Sequence, residues 1–221
     1  SHTLMQEFAV HRILVLTGTV AIIAGSISAL TQDELKRRLA FSTVAQVGYI
    51  FLGLGLVNTK GMTGTLFYLA SHAVCKSTLF LAAGAIIAAT GKQNVSELAG
   101  IGRKMPITMA AFTIGSLGLV GIPLFSGFTG KWYLILGSLE AGNILPIVVM
   151  IVGSVLCAAY LFPVIRIAYF EPAPGEDWQN SGLPQKIALI LLAAAVVILG
   201  VLPGPFLELA KRAAAELLVL L

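Results

Sequence analysis

Lys76 stands in the middle of an apolar run long enough to cross a bilayer, and His72 stands one helical turn before it. A second lysine, Lys131, interrupts another apolar run just after Pro123, Gly127 and Gly130. A cation at membrane depth costs roughly 2.5–3.5 kcal/mol on insertion scales. Such groups point to proton or ion handling inside a membrane. His72 and Lys76 lie four residues apart, so they share one helix face, and that face cannot point at lipid. Burial disfavours the charged form of an amine, and histidine titrates near neutrality unaided. Together the two groups offer a proton relay. The competing reading is a structural pair that hydrogen-bonds helices together, although membrane helices more commonly use Ser, Thr or Asn for that work.

Around Lys131 the chain reads Gly121-Ile122-Pro123-Leu124-Phe125-Ser126-Gly127-Phe128-Thr129-Gly130-Lys131. A proline and three glycines beside a charge predict a broken helix. At membrane depth a helix break exposes backbone groups, and it is tolerated only against protein or water. A lysine at a helix end that merely snorkels to the head groups is the alternative. Lys36, within Asp33-Glu34-Leu35-Lys36-Arg37-Arg38, reads on its own as part of a basic loop that sets topology. Ser42, Thr43, Gln46, Ser71, Ser77 and Thr78 either line a hydrated path or bond neighbouring helices.

The elements that must position these groups follow from composition. Hydrophobic residues make up 57% of the 221-residue chain and charged residues 11%, and the mean hydropathy is +0.94. Soluble domains carry about 25% charged residues, so the bilayer must be much of this chain's solvent. Apolar segments fall at 13–30, 39–57, 66–89, 107–120, 124–139, 144–169 and 187–202. The expected fold is therefore all-α, a polytopic membrane helix bundle with about seven spans, including one broken helix near Pro123 and Lys131. The tail, 206–221, is either an amphipathic interfacial helix or the start of another span. Residues 1–170 are expected to form the ion-translocating bundle, 171–186 a hydrophilic loop, and 187–221 a final transmembrane and amphipathic portion. The loops at 31–38 and 91–105 carry three cations each, against one in the loop between them, which places both in the cytoplasm. Glu140, Arg166 and Glu171 fall near helix ends and read as interfacial.

The net charge of +4 is spread over short loops, so it indicates membrane topology and no nucleic-acid partner. Cys75 and Cys157 both lie in apolar segments and read as small buried side chains. No phosphate-binding glycine loop, CxxC, HExxH or Fe–S spacing occurs, so no cofactor or metal is expected and any redox step belongs to other polypeptides. The start, Ser1-His2-Thr3-Leu4-Met5, lacks a signal-peptide pattern and reads as a chain entered partway.

Four motifs carry a resemblance. They are Asp33 through Tyr49, Ser71-His72-Ala73-Val74-Cys75-Lys76 through Gly84, Leu98-Ala99-Gly100 through Pro106, and Gly121 through Lys131. In this order they resemble the antiporter-like membrane subunits shared by respiratory complex I, membrane-bound hydrogenases and multi-subunit sodium/proton (Mrp) antiporters, the D-type member of the last among them. The resemblance covers roughly residues 31–170. It implies two inverted five-helix repeats, each with a broken helix, around a central hydrophilic axis. It also implies roles: Lys36 as the lysine linking two half-channels, His72 and Lys76 as members of the central relay, and Lys131 as the broken-helix residue of the second half-channel. The family's first repeat carries a driving glutamate and lysine, and no buried acid or lysine precedes Lys36 here. The chain therefore resembles the C-terminal portion of such a subunit.

The expected function is proton translocation, with sodium/proton antiport as a variant, along Lys36, His72, Lys76 and Lys131. The expected partners are other membrane subunits of a complex I-like, hydrogenase or Mrp-type assembly, the lipid bilayer, and protons or sodium. The expected location is a prokaryotic cytoplasmic (inner) membrane. The competing class is a non-conducting structural subunit. A solute transporter would need a paired acid or a solute pocket near mid-span, and neither is visible.

Overall fold

The computed structural model describes residues 10–172 and 182–220. Nine α-helices account for nearly all of them: α1 (Val10–Leu30), α2 (Leu35–Leu54), α3 (Thr59–Thr90), α4 (Ile101–Lys104), α5 (Pro106–Val120), α6 (Ser126–Glu140), α7 (Leu145–Phe170), α8 (Leu183–Val201) and α9 (Gly204–Leu220). Among the described residues there is no strand, only one antiparallel bridge between Glu34 and Asn94. Four helices, α1, α3, α7 and α8, are long and apolar enough to cross a membrane by themselves. The expectations about the chain start and about residues 173–181 of the loop fall outside the described residues. Its last residues, from Leu183, already belong to α8.

Local signals set the helix ends. Asn58 caps α3 by accepting from the Gly61 N–H at 2.7 Å. Gly91, with φ 71°, closes it in the left-handed conformation. Proline in the first turn opens α5, α7 and α8. Helices α1 and α2 form the most extensive pair. Gly18 and Gly48 face each other there with no room for a Cβ, the close approach that small residues permit between membrane helices.

α3 is the longest element, 32 residues and about 48 Å at 1.5 Å per residue. Helices α2, α5, α6, α8 and α9 all pack around it. The segments before α2 and after α3 meet at one end of the bundle. Leu35 N–H donates to the Gln93 carbonyl at 2.9 Å, and Val95 N–H to the Asp33 carbonyl at 2.8 Å. The two cation-rich loops thus share one face, as the loop charges require. At the opposite end, Asn58 Nδ2 donates to the Gly137 carbonyl at 2.7 Å, and Lys60 pairs with Glu140 at 3.4 Å. α5 therefore starts at the Asn94 end and α6 finishes at the Asn58 end. These two 15-residue helices are the halves of the expected broken helix, parted at residues 121–125.

α8 packs against α3, α5 and α6, so the last span belongs to the same bundle. Its Gly200 sits against the backbone of Leu124 and Phe125 at the break. α9 lies beside α3 with Ala210 and Ala214 buried, and with Glu208 and Lys211 paired at 2.7 Å on its outer side.

Candidate functional site

The break supplies the first site. α5 ends at Gly121, held at φ 88° in the left-handed region, and Leu124 follows at φ 76°. A non-glycine residue there stores strain of about 1–3 kcal/mol, which is characteristic of functional positions. A helix end leaves its last carbonyls without intrahelical donors and carries negative partial charge. Lys131, in the second turn of α6, turns back to them. Its Nζ donates to the Leu119 carbonyl at 3.1 Å, the Val120 carbonyl at 2.9 Å and Ser154 Oγ at 2.9 Å. The Tyr49 ring lies 4.5 Å and the Tyr68 ring 5.8 Å from the nitrogen. Lys131 is 6% exposed, so it does not snorkel.

Lys76 is 7% exposed and lies in the unbroken middle of α3. Its Nζ donates to the Leu39 carbonyl at 2.8 Å and, by a short contact, to Ser42 Oγ. The Phe80 ring is 5.8 Å away. Among the described residues no carboxylate pairs with Lys76 or Lys131. Both ammonium groups are held by neutral oxygens.

Between the lysines lies a buried polar core. Gln46 Nε2 donates to Tyr160 Oη at 3.2 Å and to Cys157 Sγ at 3.5 Å, while Tyr68 Oη donates to Gln46 Oε1 by a short contact. The Tyr49 and Tyr68 rings are 5.4 Å apart, and Tyr49 Oη donates to the Met150 carbonyl at 3.3 Å. A second cluster joins Ser71 Oγ to Ser126 Oγ at 2.7 Å, with Cys75 Sγ 3.5 Å from Ser126 Oγ. Both cysteines are buried and free.

His72 is buried on the face it shares with Lys76, and its Nδ1 has no hydrogen-bond partner among the described residues. Buried polar atoms are rarely left so. Both residues border the exposed stripe of α3 formed by Leu69, Ala73, Ser77 and Phe80. Lys36 stands apart. It is exposed in the first turn of α2, while Arg38 is the buried cation at that end. At 100° per residue the two point to opposite sides of α2, whereas Arg38, Ser42, Gln46 and Tyr49 share one stripe. Arg38 Nε donates to the Gln32 carbonyl at 2.8 Å and Nη1 to the Tyr160 carbonyl at 3.0 Å.

Of the hydroxyl and amide residues singled out in the sequence, Ser42, Gln46 and Ser71 enter these clusters. Thr43 and Thr78 bond back to carbonyls of their own helices, at 3.1 and 2.8 Å, and Ser77 is exposed. Sequence reasoning missed Arg38, Tyr49, Tyr68, Ser126, Ser154 and Tyr160, and it read Cys157 as an apolar filler. The only forward signal was the i, i+4, i+7 spacing of Ser42, Gln46 and Tyr49.

Comparison with known proteins agrees with this architecture. A family model described as NADH:quinone oxidoreductase/Mrp antiporter, TM, matches residues 1–157. NADH-quinone oxidoreductase subunit N of Desulforudis audaxviator (strain MP104C) is 42% identical over 193 residues, covering 81% of this chain and 38% of that protein. The fold superposes on a chain of the Mrp complex from Dietzia sp. DQ12-45-1b with a TM-score of 0.89 at 28% identity, covering 94% of this chain and 47% of that one. It also superposes on a chain of the membrane-bound sulfane sulfur reductase, an archaeal respiratory membrane complex, with a TM-score of 0.87 at 32% identity, covering 95% and 43%. The chain spans about two fifths of the length of the curated relatives it matches, 38% for the first and 43% for a relative from Solibacter usitatus (strain Ellin6076). With a family match over most of its length and the same helical arrangement, the chain belongs to the NADH:quinone oxidoreductase/Mrp antiporter transmembrane family.

Proposed function

We propose that this chain is the second-half bundle of an antiporter-like subunit and moves protons between Lys76 and Lys131. One observation carries the reading: two buried ammonium groups, neither paired with an acid among the described residues, flank a polar core of Ser42, Gln46, Tyr68, Cys157 and Tyr160. Neutral oxygens hold either protonation state of a lysine, whereas a carboxylate would lock the charged one. Charge on one group disfavours charge on its neighbour, so loading one lysine drives the proton off the next. Water bridges are the natural link from Ser42 to Gln46 and from the tyrosines to Lys131. His72, with a free ring nitrogen, hands protons to or from Lys76. Lys36, exposed at the Asn94 end, exchanges with water or with the rest of the subunit.

In this reading residues 1–170 form the translocating bundle, 171–186 a connecting loop and 187–221 its closing helices. The protein works beside other membrane subunits of a complex I-like, hydrogenase or Mrp-type assembly, in a prokaryotic cytoplasmic membrane with the 31–38 and 91–105 loops inside. Sodium/proton antiport is a variant of the same mechanism.

Lys76→Ala and Lys131→Ala in the full-length subunit are each expected to cut proton translocation at least about a hundredfold, the lower bound for losing an essential proton-transfer group. Assembly should be unchanged. A pH-sensitive dye in vesicles reads the first, and subunit content of the purified assembly the second. Full-rate translocation in assembled variants would leave the non-conducting structural role as the surviving explanation.

A further inference from the structure

Arg38 is a buried cation that the relay leaves unused. Its guanidinium stays charged and donates without accepting, so it cannot shuttle a proton. It is nevertheless built into the core at 8% exposure. Nε takes the Gln32 carbonyl in the segment before α2, and Nη1 takes the Tyr160 carbonyl in the middle of α7. Pro163 removes the donor to the neighbouring Ala159 carbonyl, which loosens the α7 ladder there.

Tyr160 connects this charge to the polar core. Its carbonyl receives Arg38 and its hydroxyl receives Gln46 at 3.2 Å. Leu39, the residue after Arg38, holds Lys76. Arg38 therefore stands on the Asn94 end of the core, next in sequence to the Leu39 that holds Lys76 and bonded to the Tyr160 that anchors Gln46. The apolar cluster that holds Leu39 and Tyr160 also includes Leu35, Leu98 and Ile101, fully buried, and Val95, nearly so. The acid within electrostatic range is Asp33, and Ser96 occupies both of its oxygens, at 2.6 and 3.2 Å.

We propose that Arg38 is a specificity-determining residue, a fixed charge seated on Tyr160 that bars metal cations from the Asn94 end of the core while protons pass between hydrogen-bonded groups. A hydrated cation would have to displace the guanidinium from two carbonyls and approach a like charge in a medium of low dielectric. A proton needs only rearranged hydrogen bonds. Arg38 touches no transferred group, so its role is positional and electrostatic. The proposal rests on the core being a proton path, but its test reads access and not transport, so the two can fail separately.

The reporter is the Cys157 thiol, buried directly beneath Tyr160, in the full-length subunit within its assembly and with Cys75→Ala. A quaternary-ammonium methanethiosulfonate and neutral methyl methanethiosulfonate are added from the Asn94 side, and labelling is followed by mass spectrometry. Arg38→Met should accelerate the cationic reagent at least about tenfold more than the neutral one, the factor expected for losing ~1.4 kcal/mol of charge repulsion. Arg38→Lys should restore the discrimination. Equal acceleration of both reagents, or none, overturns the proposal. So does faster labelling of Cys75 in the reciprocal Cys157→Ala background, which would mean general loosening. If Arg38→Met does not assemble, Arg38→Lys decides alone: loss of discrimination against the cationic reagent there overturns the idea, and retention supports it.

Discussion

Lys131 and Lys76 carry the same ammonium group at 6% and 7% exposure, yet the fold solvates them in opposite ways. Lys131 exploits an interruption. The end of α5 frees two carbonyls, Ser154 adds a hydroxyl, and all three N–H donors are filled. Lys76 lies in an unbroken helix and borrows oxygens that already have work. The Leu39 carbonyl also receives the Ser42 and Thr43 hydroxyls, at 2.8 and 3.1 Å. Among the described residues its third donor meets only the Phe80 ring, at 5.8 Å. The saturated site holds its ammonium whatever one partner does. The undersupplied site depends on each partner, and it borders the exposed stripe of α3, where water or another segment can complete it.

The sharpest way to break this contrast is Gly121→Ala. The left-handed turn would carry a side chain at φ 88°, and its Cβ would stand 2.9 Å from Lys131 Cδ. Strain of that kind costs about 1–3 kcal/mol, and the displaced lysine stem puts the expected loss near the upper end. Thermal unfolding in detergent, followed by Cys157 labelling, should show it, with Lys76 unaffected. An unchanged melting temperature would mean that the carbonyl cage does not need the turn.

The two hydroxyls should differ by less. Ser42→Ala leaves Lys76 on one crowded carbonyl and is expected to cost about 1–3 kcal/mol, the penalty of an undersatisfied buried donor. Ser154→Ala leaves Lys131 with two carbonyls and should cost about 1 kcal/mol, near that of one ordinary hydrogen bond. Unfolding free energies measured side by side check the order, and the reverse order would dissolve the distinction drawn above.

The smallest effect belongs to Tyr49→Phe. The ring stays over Lys131, while the bond to the Met150 carbonyl, at 3.3 Å, and the hydroxyl's interaction with Ser154 are lost. About 0.5–1 kcal/mol is expected. Tyr49→Leu also removes the cation–π contact and should cost up to ~2 kcal/mol more. Equal losses for the two variants would show that the aromatic face contributes nothing to holding the charge.

Much of the scaffold was legible in the sequence. The seven apolar segments all became helices, because each is an apolar run bounded by polar or helix-breaking residues, and Asn58, Gly91 and Pro106 cap their helices as their residue types dictate. The break was legible too, since Gly121 and Pro123 cannot continue a helix beside a charge that needs oxygens. The buried pair His72 and Lys76 followed from helical spacing. The start of α2 was not legible in the same way. Lys36 and Arg38 are neighbours of one charge type in one basic run, and nothing local says which turns inward.

Sequence alone determined that this is a membrane protein with two lysines inside its apolar segments, because composition sets the solvent and spacing sets the face. Only the tertiary structure decided what those groups touch. Arg38 meets a carbonyl 122 residues away, and Gln46 meets a thiol 111 residues away. α7, which supplies Ser154, Cys157 and Tyr160, reads in sequence as an almost uniformly apolar helix. Its few polar atoms acquire meaning when packing rotates them toward α2 and the end of α5, because a hydrogen bond is fixed by position in space and not by distance along the chain.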